Sequence, residues 1–191
     1  PRSAGTPVVR TASAIESDWL IELFADRVVD ELECVWSETD ERAYDVRRLV
    51  YDGLVIDETR RLAAPGPAAS ALVFAAARVV PGILSDPAIG VLVARIRFAA
   101  DAAPDCGLAS IDEADVEACL AEVCESLTSL AQLRARMPAA LAAAIVRRAG
   151  PNALRALARF APERVRLARG REVRVHYAEG MQPWIASRLQ D

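Results

Sequence analysis

Apolar and polar positions alternate through the first third of the chain, repeat with a helical period through the middle, and alternate again near the end. Residues 31–36, ELECVW, set Leu32, Cys34 and Trp36 against Glu31, Glu33 and Val35, the period-2 signature of a strand. Within 46–62 two strand-like runs flank Asp52-Gly53, a pair suited to a two-residue turn with positive φ, so a hairpin is predicted there. Residues 7–13, PVVRTAS, read as a further strand. Between them, residues 16–24 place Trp19, Leu20, Leu23 and Phe24 on one face of a short helix, with Ser17 as a candidate cap. The region reads as a small antiparallel sheet with a helix inserted.

Pro65, Gly66 and Pro67 crowd together and mark the best boundary. Beyond them the period becomes helical. Pro67 opens a helix through Leu72, Val73, Ala76 and Val80, which Pro81-Gly82 ends. Asp86-Pro87 opens the next, with Ile89, Leu92, Ile96 and Ala99 on its inner face. Ser110 to Glu113, SIDE, has the form of a capping box, ahead of a helix that aligns Val116, Leu120, Val123 and Leu127. Pro138 and Pro151 suit first turns, and Gly150 suits the end of the helix between them. A bundle of about five or six helices is predicted.

The period then returns to 2. ERVRL (163–167) and REVRVHY (171–177) flank ARG (168–170). Val165 and Leu167 face one way with Val173, Val175 and Tyr177. Arg164 and Arg166 face the other way with Arg174 and His176. One face of this hairpin is apolar and the other cationic. Pro183 suits the start of a last helix containing Trp184, Ile185 and Leu189.

Charge sharpens this picture. The net charge is −4, but its distribution is uneven: residues 1–64 carry −6, residues 65–135 carry −5, and residues 136–191 carry +7. A basic segment on an acidic protein points to an anionic partner. All 23 basic residues are arginine, which beside the abundant alanine reads as the codon usage of a GC-rich genome. Arginine also forks two hydrogen bonds to phosphate oxygens, so Arg164, Arg166, Arg169, Arg171, Arg174 and His176 are the candidate nucleic-acid contacts. The other reading of that face is a solvated strand surface, or one paired with the acidic first segment. Tyr177 and Trp184 could stack on bases, but both fit the apolar pattern, which predicts core positions.

Other chemistry finds little support. The chain has no G-x-x-x-x-G-K-[ST], no G-x-G-x-x-G, no H-E-x-x-H and no G-x-S-x-G. His176 is the one histidine and has no evident nucleophile partner. Asp112, Glu113 and Asp115 sit in a helical first turn, where the macrodipole accounts for carboxylates. Cys34, Cys106, Cys119 and Cys124 show no framework spacing and read as free thiols in a reducing cytoplasm. No stretch reads as a signal peptide or a membrane span. No catalytic residue, metal site or cofactor site is assigned.

Three blocks carry a family resemblance: RTASAIESDWLIELFADRV (10–28), YDGLVIDE (51–58) and APERVRLARGREVRVHYAEGMQPWIASRLQD (161–191). They are similar, in order and spacing, to the C-terminal half of HrpB-type bacterial DExH-box helicases, of the DEAH/RHA type. The resemblance covers nearly the whole chain. It implies an OB-like sheet region with an inserted helix over 1–64, a helical bundle over 65–162, and a basic β-hairpin with the start of a C-terminal helix over 163–191. The overall class is α+β. It also implies that the chain is a piece of a cytoplasmic ATP-dependent RNA helicase, with ATP and magnesium held by motor domains elsewhere in the parent. The expected partners are RNA or another single-stranded nucleic acid and those motor domains, with no membrane. The alternative is a protein-interaction or intramolecular docking module that regulates the helicase core.

Overall fold

A computed structural model describes residues 11–168, 170–178 and 180–186. The fold is α+β: a three-stranded antiparallel sheet, a helical bundle, and a second, smaller three-stranded sheet. The two β regions are separate sheets.

The chain enters through α1 (Ser17–Leu23). Glu16, not Ser17, occupies the cap position and makes no side-chain cap bond, and no residue of α1 is buried. Residues 11–13 have no regular structure; the remainder of the strand expected over 7–13 lies outside the described residues. Next come β1 (Val28–Ser37), β2 (Arg42–Tyr51) and β3 (Leu54–Leu62), an antiparallel meander in the order β1-β2-β3. Asp52 and Gly53 make the β2–β3 turn with φ of 48° and 82°, the doubly positive turn whose twist matches that of the flanking strands. A bulge interrupts the β2–β3 register beside Leu49 and Val50. An OB fold is a partly open barrel of five strands; among the described residues this sheet has three, with β2 between β1 and β3.

Six helices form the bundle: α2 (Pro67–Val79), α3 (Pro87–Ala102), α4 (Glu113–Cys124), α5 (Leu130–Arg136), α6 (Ala139–Ala149) and α7 (Ala153–Phe160). Their apolar stripes meet in one core that includes Val73, Ile89, Ile96, Leu120, Leu133, Leu141 and Ile145. Asp86 caps α3 by accepting from the Ala88 amide at 2.8 Å, with Pro87 in the first turn. The capping box of α4 sits two residues later than the SIDE reading. Asp112 accepts from the Asp115 amide at 2.8 Å, and Asp115 accepts in return from the Asp112 amide at 3.1 Å. The shift follows from Ile111, which is fully buried. It precedes the cap and Val116 follows in the second turn, and both belong to the same core, the arrangement of a hydrophobic staple. The Asp112 amide, and after it the Arg148 guanidinium, hold the Asp115 carboxyl below the usual carboxylate range. Gly150 ends α6 at φ 130°, and a Cβ there would stand 3.1 Å from the Gly107 carbonyl. Both the backbone angle and the close approach require glycine.

The first sheet is joined to the bundle along one end. Ala43 donates its amide to the Thr128 carbonyl at 2.8 Å, and Leu130 donates to the Glu41 carbonyl at 2.9 Å. Glu41 also pairs with Arg134, whose hydrogen bond to the Glu41 carboxyl holds it below its ordinary value. Ala43, Ala63 and Ala69 pack together there beside Cys34, Trp36 and Leu72.

All four cysteines are free, with Cys119 and Cys124 buried and Cys34 and Cys106 half-buried. Burial disfavours thiolates. It raises the thiols of Cys34 and Cys119, and pushes that of Cys124 up to about 11. In native protein at mildly alkaline pH, Cys119 and Cys124 are expected to resist alkylation until denaturant is added. Mass spectrometry after a timed iodoacetamide pulse checks this, and rapid native labelling of Cys124 would contradict its burial.

Candidate nucleic-acid interface

After α7 the chain forms β4 (Arg164–Arg166), β5 (Glu172–His176) and β6 (Trp184–Ile185), in the order β4-β5-β6. The β4–β5 register sets Arg164 opposite Arg174, Val165 opposite Val173, and Arg166 opposite Glu172. Side chains alternate across a pleated sheet, so this register sorts the hairpin into the two faces read from the sequence. Val173, Val175 and Tyr177 are buried, and Val175 and Tyr177 join the bundle core with Val165 packed beside them. The Tyr177 hydroxyl donates to the Pro162 carbonyl at 2.9 Å, and its ring lies 5.8 Å from that of Phe98. Burial holds its phenol above the ordinary range. Tyr177 is therefore a core residue, as its pattern predicts.

Arg164, Arg166, Arg171 and Arg174 are exposed and His176 is half-buried. Arg169 lies outside the described residues. Among the described residues, none of these four arginines takes part in a salt bridge. The acidic first segment does not neutralise them. Among the described residues, five of its carboxylates are bridged instead to other arginines: Asp30 to Arg47, Asp52 to Arg27, Glu41 to Arg134, and Glu33 and Glu58 together to Arg48. Like charges placed directly opposite across two strands repel, and Arg164 and Arg174 are such a pair.

Two features of this region escape the sequence reading. The first is β6. Residues 184–185 form an edge strand on β5, with Trp184 opposite His176 and Ile185 opposite Val175, where a helix starting at Pro183 is predicted. Pairing to the exposed edge of β5 satisfies backbone groups that a helical turn would leave to water. Leu189, the far end of that predicted helix, lies outside the described residues. Trp184 consequently faces the cationic side. It is 43% exposed, and its ring stacks on His176 with centroids 5.2 Å apart and planes 18° from parallel. The second feature is Arg95 of α3, 9% exposed. Its Nε donates to the Ala161 carbonyl at 3.0 Å and its Nη1 pairs with Glu163 at 2.6 Å. The hairpin is thus tied to the bundle at its root.

A Walker-type phosphate loop needs a lysine, and the chain has none. Among the described residues no three His, Cys, Asp or Glu side chains gather as a metal site, and no helix is long and apolar enough to cross a membrane. Two cavities bring Arg97 to Glu113 and Glu117, or Arg97 to Asp101, and another is lined by Arg95, Glu163 and Arg174; none of the three is lined by His176.

A three-stranded sheet, a six-helix bundle and a hairpin docked on that bundle follow one another in this order, and the fold they make is found as part of larger solved structures. The chain matches two solved structures of Escherichia coli HrpB, one described as a DExH-box NTPase and the other as a DEAH/RHA helicase. Identity is 18% in both; the matches cover 92% and 85% of this chain, with TM-scores of 0.52 and 0.54. The chain spans 22% and 21% of the length of those proteins. The likeness is one of fold, and it agrees with the resemblance carried by the three sequence blocks. No family model and no curated protein matches the chain.

Proposed function

We propose that this chain is an accessory region of an ATP-dependent RNA helicase, and that its hairpin holds the phosphate backbone of a single strand beside the motor. The carrying observation is the exposed pair Arg164 and Arg174 in line with the half-buried His176, with Arg166 and Arg171 beside them and no carboxylate bridged to these arginines among the described residues. A polyanion laid across Arg164 and Arg174 relieves their mutual repulsion. Such contacts fix position and do not read sequence. ATP and magnesium belong, in this reading, to motor domains of the parent polypeptide, which acts in the cytoplasm. The division into an OB-like region (1–64), a bundle (65–162) and a basic hairpin region (163–191) is part of the same proposal.

Titration of labelled single-stranded RNA at two salt concentrations tests it. Four phosphates neutralised by Arg164, Arg166, Arg171 and Arg174 give a logarithmic salt slope of about −3. Affinity then falls roughly 50-fold for a fourfold rise in salt. Arg164→Ala with Arg174→Ala halves the slope, leaving a fall of roughly 7-fold. Salt-dependent binding that is unchanged in the double variant removes the hairpin from the proposal.

A docking role has its own support. Trp19, Leu23, Val29, Leu32 and Leu54, on α1 and the first sheet, are exposed, and exposed apolar residues of this size suit contact with another protein surface. Stimulation of separately supplied motor domains by a chain that binds no RNA would favour that reading.

A further inference from the structure

Exposed tryptophans are common at interfaces because one flat side chain offers a large apolar surface and few internal degrees of freedom. Trp184 has a more specific setting. It stands on the hairpin's cationic face, opposite His176 and in line with Arg174, which is two residues along β5 and on the same side of the sheet. The imidazole lies nearly parallel to the indole and props the ring in place. The rotamer is thus set before any ligand arrives, which lowers the entropy cost of binding. Pairing of β6 with β5 fixes the backbone beneath it. A flat aromatic surface beside unbridged guanidinium groups is the combination that proteins use for single strands: cations track the backbone while bases stack on rings.

We propose that Trp184, backed by His176, is a nucleobase-stacking platform for a single-stranded nucleic acid whose phosphates lie along Arg174 and Arg164. This rests on the phosphate-binding reading of the hairpin and adds a base subsite to it. Every base has a π-face, so the platform takes any base in preference to none. Charge favours this occupant over an apolar protein segment, because a neutral apolar partner would leave the Arg164–Arg174 repulsion unrelieved.

The test compares a fluorescently labelled oligouridylate with a matched abasic ribose-phosphate strand, both titrated against the chain by anisotropy. The intact protein is expected to bind the base-bearing strand roughly 5- to 150-fold more tightly, the range for one stacked base. Trp184→Leu is expected to abolish that preference while leaving the salt slope unchanged, and Trp184→Phe to keep part of it. Arg164→Ala with Arg174→Ala is expected to weaken both strands alike. Equal affinity of the intact protein for the two strands, with the arginine dependence retained, overturns the platform and leaves the phosphate contacts standing. A preference that survives in both Trp184 variants also overturns it. Absence of binding to either strand overturns the platform and the phosphate-holding role together.

Discussion

Replacing Ile96 by alanine is expected to lower the unfolding free energy of this chain by about 2–5 kcal/mol, the range for emptying a fully buried branched aliphatic site. Ile96 is completely buried on α3, in the core it shares with Ile89, Leu120, Leu133 and Ile145. The loss has two parts: the transfer free energy of the deleted carbons, and the cavity that a close-packed interior only partly fills. For a chain of this size each kcal/mol lowers the melting temperature by roughly 2–4 °C. Urea denaturation followed by circular dichroism measures the change. A loss below about 1 kcal/mol would mean that the bundle core is looser than its burial implies.

The residue before it gives the second prediction. Arg95→Met keeps most of the apolar stem but removes the bond to the Ala161 carbonyl and the contact with Glu163. Ala161 is fully buried, so its carbonyl is left without that partner. The expected cost is roughly 1.5–3 kcal/mol, as for other hydrogen bonds made by charged groups. The carboxylate contributes the smaller share, because the Glu163 side chain is 74% exposed and solvent screens such pairs. Glu163→Gln is therefore expected to cost less than about 1 kcal/mol. Hydrogen exchange localises the effect: protection in β5 should drop in Arg95→Met and hold in Glu163→Gln. Equal losses in the two variants would shift the weight from the backbone carbonyl to the ion pair.

Ile96 and Arg95 also mark how far the sequence could be read. Helical periodicity identifies Ile96 as an inner position, since burial of an aliphatic side chain leaves a repeating trace. Arg95 leaves none: a charged residue between apolar ones reads as solvent-facing, and its partners lie 66 and 68 positions away. The first hairpin was legible because Asp52-Gly53 and the strands on either side demand the same local geometry. The second hairpin was legible because alternation separates arginine from valine in both strands. Trp184 was not, because two apolar residues after a proline fit a helix as well as an edge strand. Only the open edge of β5, a property of the assembled sheet, decides between them. The α4 cap moved for a related reason, since the burial of Ile111 outweighs the local match at Ser110.

The facing arginines of β4 and β5 give dissolved ions two opposed effects on one ribbon. Without a bound strand, added electrolyte shields two like charges from each other, and the ribbon gains stability. With a strand held there as proposed, the same electrolyte would compete for the guanidinium groups and loosen the complex. On the proposed phosphate-holding role, rising ionic strength would favour the ordered, unoccupied hairpin on both counts, and a bound polyanion could leave without the ribbon unravelling.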